Sequence, residues 1–412
     1  MPNLKAAGSH TVDEIFACAK DHPFYREKLQ GVASFADAGL TDKKELYAVI
    51  NKTFESDGDC LKGVYWSPTG GSVSEFLLFY PTDPAENHYQ RRLLAEHLIA
   101  AKIFTPDTVA LNLFGSTLMY RSLEIFNEYC EVAGATALPV SSVCPDEVAC
   151  KIATRFAANT VMGLPSRILQ FARYLARESI SIIFEDVVFA GEPLPEHKKE
   201  FLRRTIGAKR FSGLYGSAEA GVWAFQSDQM AADLGISADA YLFPKQLMHV
   251  EIAAADGDGY GNIVTTNLVR TRHPLLRYDS GDVGRMVLSS KCPRECRLLE
   301  LRGRTERSFE IGGEYYALDD FVGLFAEAGL LEYQIVLTFD PAKQMDLVSF
   351  FLVAGPAAEV KAVKLAITSG IRKIVQSNDA SFITEINFVE SETLARSKTG
   401  QKVLKIVDSR PK

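Results

Sequence analysis

Between Asn87 and Leu234 the chain alternates helical and β-rich stretches with a regularity that few folds accommodate. Helical patterns at 88–101, 122–132, 145–157, 166–177 and 195–205 alternate with short β-rich runs at 108–113, 135–140, 159–162, 186–190 and 208–212. This predicts crossover units on a mostly parallel sheet with helices on both faces. In such a sheet, ligands collect outside the carboxyl ends of the strands. Two loops occupy ends of that kind, Ala190 to Leu194 (AGEPL) and Gly213 to Gly221, and they are expected side by side.

The second loop belongs to the stretch FSGLYGSAEAG, Phe211 to Gly221. An apolar strand is expected to end in Gly213, with Tyr215, Gly216, Ser217 and Glu219 following in a loop. Glycine lets the main chain approach a ligand closely, Tyr215 offers a stacking face, and Glu219 has the oxygen chemistry for a hard cation such as magnesium. The same letters also describe a tight turn carrying a solvated glutamate.

Upstream, VYWSPTGGSVSEFLLFYPTD reads as strand, small-residue loop, strand. Thr69, Gly70, Gly71 and Ser72 gather hydroxyls and unhindered N–H groups, as a phosphate-cradling nest requires; a plain hairpin with a Gly-Gly turn uses the same letters. After Tyr241 the texture becomes β, with LMHVEIAA and NIVTTNL flanking the turn signal DGDGYG. Within RYDSGD, Asp282 is placed either to accept both hydroxyls of a ribose or to sit in a surface turn. Two N-terminal helices, one capped by Thr11 and Glu14 and one behind Thr41, are expected to serve packing. The last hundred residues have their own pattern: helix, strands YQIVLTF and DLVSFFLVA, helix, strand ITEINFV. That is long enough for a separate small α+β domain, joined near Arg304 to Glu306 by a linker or hinge.

Composition narrows the function classes. The 412 residues are 47% apolar, ample for a large core in two or three domains. With 45 Lys and Arg against 52 Asp and Glu, and a net charge of -7, no basic field invites nucleic acid or an anionic membrane. The first residues lack the pattern of a signal peptide, no run has the length of a membrane span, and the seven cysteines are scattered, so a reducing cytoplasmic location is expected. Cys292 and Cys296 read as structural thiols or half of a zinc site.

The small-residue loop, YGSAE, RYDSGD, RGRTE and a lysine near the C-terminus, in this order, resemble the adenylate-forming superfamily, and within it the phenylacetate-CoA ligase branch. TDKKELY, GATALPV, GLPSRI, AGEPL, YQIVLT and KVLKIVDSR extend the resemblance over nearly the whole chain. It implies an α/β fold with a large N-terminal domain, 1–303, of mostly parallel sheets plus a β-rich subdomain at about 241–303, then a small mobile α+β domain, 304–412. It implies ATP, Mg²⁺ and coenzyme A as cofactors. Thr69, Gly70, Gly71 and Ser72 would face the phosphates; Gly191, Glu192 and Pro193 would form an adenine wall; Tyr215 would stack on the base between Gly213, Gly216 and Ser217. Glu219 would bind magnesium, Asp282 and Arg304 the ribose, Glu306 would be the hinge, and Lys402 the mobile catalytic lysine.

The chain departs from the family where Val73, Ser74 and Glu75 replace Thr-Gly-Lys, so an anion stands for a cation, and where Gln401-Lys402 replaces Gly-Lys. The stretch LNLFGSTLMYRSLEIF looks more like relatives that adenylate bulkier aromatic acids, in phenazine and quinolone pathways. Phe114, Met119 and Tyr120 would then line a flat pocket, if they are not simply core aromatics. The implied activity is adenylation of an aromatic acid followed by transfer to a thiol, coenzyme A or a carrier. The implied partners are that acid, that thiol and a second copy of the chain, with no nucleic acid or membrane. Transfer to a non-thiol acceptor, or ligand binding without turnover, are the alternatives.

Overall fold

The computed structural model describes residues 7–56, 61–68, 79–116, 119–304, 308–312, 314–328, 330–354, 361–375, 382–390, 393–395 and 403–411. Helix α1 (Val12–Asp21) begins with the expected capping box: Thr11 accepts from the Glu14 N–H, and the Glu14 carboxylate accepts from the Thr11 N–H. Helix α2 (Lys43–Ser56) starts behind Asp42, which accepts from the Glu45 N–H at 2.8 Å, and it buries Leu46, Tyr47 and Ile50. Strands β1 (Tyr65–Pro68) and β2 (Phe79–Thr82) pair on either side of the glycine loop. Thr69, Gly70, Gly71 and Ser72 themselves lie outside the described residues, as do Glu75, Glu306 and Lys402.

After helix α3 (Pro84–Ala100) the alternation unfolds as expected: β3 (Val109–Asn112), α4 (Ser122–Ala133), β4 (Thr136–Pro139), α5 (Asp146–Arg155), β5 (Thr160–Gly163), α6 (Pro165–Arg177), β6 (Asp186–Ala190), α7 (Glu196–Ile206) and β7 (Arg210–Ser217). The strands are parallel in the order β4-β3-β5-β6-β7. The chain steps from β3 outward to β4 and then crosses to β5 on the other side of β3, so the winding reverses between β3 and β5. Leu111, Val161, Val187 and Phe211 pack under α5 to α7 on one face; Phe114, Met162, Val188 and Leu214 pack under α3 and α4 on the other.

One feature differs from the reading of the sequence. Strand β7 does not end at Gly213 but continues to Ser217 and folds back antiparallel into β8 (Gly221–Ser227), which leaves only Ala218, Glu219 and Ala220 as the turn. Gly216 permits this: a Cβ there would lie 2.2 Å from the Gly221 carbonyl oxygen, so the close backbone approach is to its own hairpin partner. The β-rich segment joins the same sheet. After α8 (Asp228–Leu234), strands β9 (Ala240–Pro244), β10 (Met248–Ala253), β11 (Gly261–Asn267), β12 (Tyr278–Val287) and β13 (Cys296–Arg304) extend the parallel half antiparallel, giving eleven strands in the order β10-β11-β12-β13-β9-β8-β7-β6-β5-β3-β4. The DGDGYG turn joins β10 to β11 in the register Met248↔Asn267 to Ala253↔Asn262.

The remaining chain forms a hairpin of β14 (Ser308–Ile311) and β15 (Glu314–Ala317), helix α9 (Asp319–Glu327), β16 (Leu330–Asp340), β17 (Met345–Ala354), α10 (Lys361–Val375), β18 (Phe382–Phe388) and β19 (Ile406–Asp408). Its four-stranded sheet, ordered β18-β17-β16-β19, closes over a core that includes Phe309, Phe321, Ile335, Phe350 and Ile371. It meets the large sheet's helices through Lys198 and Asp346, 2.8 Å apart, and through Arg173, which donates to the Gln344 carbonyl at 2.6 Å. Among the described residues no helix is long and apolar enough to cross a membrane.

Candidate active site

The turn between β7 and β8 carries Glu219, which is 3% exposed. A buried carboxylate is costly unless partners compensate it, and here they come from three distant parts of the chain. Its Oε1 accepts from the Tyr47 hydroxyl at 3.0 Å and the Tyr278 hydroxyl at 3.1 Å, and Lys43 Nζ stands 3.8 Å away. Burial alone would raise the carboxyl's pKa, but Lys43, together with bonds from Ser217 and Tyr47, outweighs it, so Glu219 is held below the usual range and ionised. Burial and the adjacent Glu219 charge push Tyr47 far upward, fixing it as a hydrogen-bond donor.

The turn's backbone is equally tied down. Ala220 O accepts from Gln90 at 2.9 Å and Asn267 at 3.0 Å, and the buried Arg270 donates to Glu219 O. Lys43 and Tyr47 lie on α2, which the sequence reading assigned to packing alone. Their signal was the TDKKELY motif itself, as Tyr278 belongs to RYDSGD. As a magnesium site, Glu219 offers one protein oxygen, and no group of three or more His, Cys, Asp or Glu able to hold a metal occurs among the described residues. Mg²⁺ is commonly bound by one or two carboxylates together with substrate phosphates, so this single oxygen would fit an ion carried in with a nucleotide, and that ion would neutralise phosphate charge.

Tyr215, two residues before the turn, and Asp282, on β12, are brought together: the tyrosine hydroxyl donates to Asp282 Oδ2 at 2.6 Å. The Tyr215 ring is flanked by Trp223 edge-on at 5.1 Å and by Tyr241 at 5.7 Å. Arg304 pairs in register with Asp282 across β12 and β13. On the neighbouring strand end, Gly191 has φ +80°, where glycine carries no penalty, and turns the chain into Glu192 and Pro193. The buried Glu192 side chain points to helix α6, accepting from Ser166 N at 2.8 Å and Ser166 Oγ at 2.6 Å. Burial, and then the Glu310 charge, push its pKa up to about 8.

Of the three residues expected to form a flat aromatic pocket, Tyr120 alone lines the open groove beside α4, between it and α3. Phe114 is fully buried and stacked on Phe126 with ring centres 3.9 Å apart, and Met119 is half exposed. That groove, a cavity of about 890 Å³, has charged walls: His88 and Arg92 on α3, and Arg121, Glu124 and Glu128 on or beside α4. Cys292 and Cys296 are both free thiols, and Cys296 Sγ lies 3.8 Å from His97 Nδ1.

No family model matches the chain. The indoleacetate–lysine synthetase of Pseudomonas savastanoi is 25% identical over 386 residues, 90% of each chain. Among solved structures, 2-hydroxyisobutyryl-CoA ligase in complex with 2-HIB-AMP and CoA in the thioesterification state superposes with a TM-score of 0.73 at 17% identity, over 97% of this chain and 88% of that one. The amide bond synthetase McbA from Marinactinospora thermotolerans gives 0.53 at 16% identity, over 82% of this chain and 67% of that one.

Proposed function

We propose, for a chain that belongs to the adenylate-forming superfamily, that it activates a carboxylic acid with ATP and passes the acyl group to an amine. The observation that carries the first half is the meeting, at one end of the large sheet, of Tyr215 with Asp282 beside an ionised, buried Glu219. These supply a stacking ring, a ribose acceptor and a fixed anion. A carboxylate is a poor electrophile; converting it to an acyl-adenylate, with pyrophosphate leaving, makes its carbonyl open to attack. The amine acceptor is favoured by the full-length relative, an indoleacetate–lysine synthetase. Transfer to coenzyme A is the second reading, favoured by the overlay on a ligase bound to CoA.

In this reading Thr69 to Ser72 face the phosphates, Gly191 to Pro193 border the adenine, and Glu219 offers an oxygen to Mg²⁺ in the presence of nucleotide. Residues 1–303 and 304–412 act as two domains hinged near Glu306, with Lys402 entering for adenylation by position and charge. Pyrophosphate exchange with a panel of aromatic acids led by indoleacetate tests adenylation, and AMP release on adding lysine or coenzyme A identifies the acceptor. Absence of exchange with every acid would overturn the enzyme reading. Asp282→Ala should weaken nucleotide binding by about 1–3 kcal/mol in calorimetry, because the ribose hydroxyls lose their acceptor.

A further inference from the structure

Helix α3 presents two faces to two different structures. Gln90 turns to the motif hairpin, donating to Ala220 O and Val222 O. Arg91 and His88 turn to α4, where Glu128 joins them. One Glu128 oxygen accepts from Arg91 Nη1 at 2.8 Å and the other lies 2.8 Å from His88 Nδ1. The Arg91 side chain is 4% exposed, so the carboxylate is pinned from beneath before it reaches the imidazole. A carboxylate at Nδ1 takes that N–H and leaves Nε2 as the proton-accepting atom. Nε2 lies 3.4 Å from the hydroxyl of Tyr65, on the strand that leads into the glycine loop. The imidazole is 45% exposed and lines the α3–α4 cavity.

The cavity's position matters as much as its chemistry. Ser116, Tyr120 and Arg121 place its upper end beyond the carboxyl end of β3, beside the point where the winding reverses between β3 and β5. Open α/β sheets bind ligands at such a reversal. From β3 to β7, which carries Tyr215, there are three strand spacings, about 14 Å at ~4.8 Å each. A nucleotide bearing an acyl group is long enough to bridge that span.

We propose that His88, oriented by Glu128 and Arg91, is the general base of the transfer half-reaction; this rests on the amine reading above. A primary amine is protonated near neutral pH and attacks only as the free base. Its nitrogen forms the new C–N bond at the acyl carbon, and the bond from that carbon to the AMP oxygen breaks, the electron pair leaving with AMP. The proton that the nitrogen must shed goes to His88 Nε2 and then to solvent. Adenylation transfers no proton from the acid, which reacts as its carboxylate, so the dyad has no part in the first step.

The test compares the unaltered protein with His88→Gln and Glu128→Gln, using the panel acid that gives the fastest pyrophosphate exchange. Exchange by His88→Gln should stay within about twofold, which also proves the variant folded, and trapping of the adenylate by hydroxylamine, a nucleophile that is neutral at pH 7, should persist. Amide formation with lysine at pH 7 should fall about 10²- to 10⁴-fold, the usual range for a lost general base, and the deficit should shrink as pH rises and hydroxide takes the proton in place of the imidazole. Glu128→Gln should show the same pattern, less deeply. A deficit equal at all pH values, parallel loss of exchange and transfer, or undiminished lysine transfer in His88→Gln would overturn the dyad while leaving the amine reading intact. An unaltered protein that exchanges pyrophosphate but releases AMP only with coenzyme A would overturn the amine reading, and the dyad with it.

Discussion

Two glutamates, Glu192 and Glu219, follow the adjacent parallel strands β6 and β7, and both are buried, yet their acidities are driven in opposite directions. Glu219 has a lysine, two tyrosine hydroxyls and a serine, all from the large sheet's own surroundings, and stays ionised. Glu192 has the hydroxyl and N–H of Ser166, and faces Glu310 on the hairpin that precedes the small sheet; its pKa climbs to about 8. Burial raises both carboxyls, and only around Glu219 do a lysine and hydrogen-bond donors outweigh it; at Glu192 the Glu310 charge adds to burial, and Ser166 and Lys198 do not offset the two. One glutamate is thus a permanent anion of the large unit. The other is kept protonated first by burial, with Glu310 beyond residue 304 adding to it.

The comparison can be broken most forcefully at Glu219. Glu219→Ala removes one member of a buried set and strands Lys43 with two tyrosine hydroxyls; it should cost about 3 kcal/mol in urea unfolding, the low end for such a loss because Lys43 is a third exposed. A cost below about 1 kcal/mol would mean that the set is not a unit.

The next effect lies in pH. Native Glu192 keeps its proton up to about pH 8, whereas the unfolded chain releases it near the ordinary value of 4.5. Its contribution is therefore fully present below pH 4.5 and is lost as pH rises through 8, amounting to about 2–3 kcal/mol after allowance for relaxation. Glu192→Gln, which has no proton to lose, should match the unaltered protein at pH 4.5 and melt higher at pH 8. Identical melting curves across that window would show that Glu192 is not protonated.

The smallest effect tests whether Glu219 can be made to resemble Glu192. Lys43→Met removes the cation, so the Glu219 pKa should rise. The depressed value in the unaltered protein contributes stability above the ordinary pKa that is lost as pH falls through the native one; in Lys43→Met this loss should begin at higher pH, with about 1 kcal/mol missing at neutrality. Melting measured from pH 3 to 7 checks it.

Much of the large sheet was legible because its helices and strands carry different periods: the run expected at 186–190 is β6 itself, and the helix expected at 166–177 starts one residue earlier, at Pro165. Strand β8 was not, because GVWAFQS follows two glycines and a glutamate that read as loop, and its partner is fixed by the cramped fit of Gly216 against Gly221. The union of the two halves of the sheet was equally hidden, since β8 meets β9 in register through Phe225↔Leu242. Within the site, Tyr215, Glu219 and Asp282 stood out as polar or aromatic groups among small residues. Lys43 and Tyr47 did not, because the helix behind Thr41 is expected only to pack. Only tertiary folding turns both toward Glu219.

Because Thr41 is bridged to Tyr278, with Asp279 N donating to Thr41 O at 2.9 Å, the site is sewn together from the two ends of the large unit. During synthesis Lys43 and Tyr47 emerge long before Glu219, and Tyr278 follows it by on the order of 3–12 s at the usual pace of a ribosome. Through most of that interval the β7–β8 segment lacks Arg270 to bind its turn, and throughout it lacks Tyr278 to donate to its carboxylate. A ribosome-bound chain arrested short of Tyr278 therefore carries every residue of the central motif in an unfinished state, and cutting the gene anywhere between these segments yields two fragments that must find each other before either can hold Glu219.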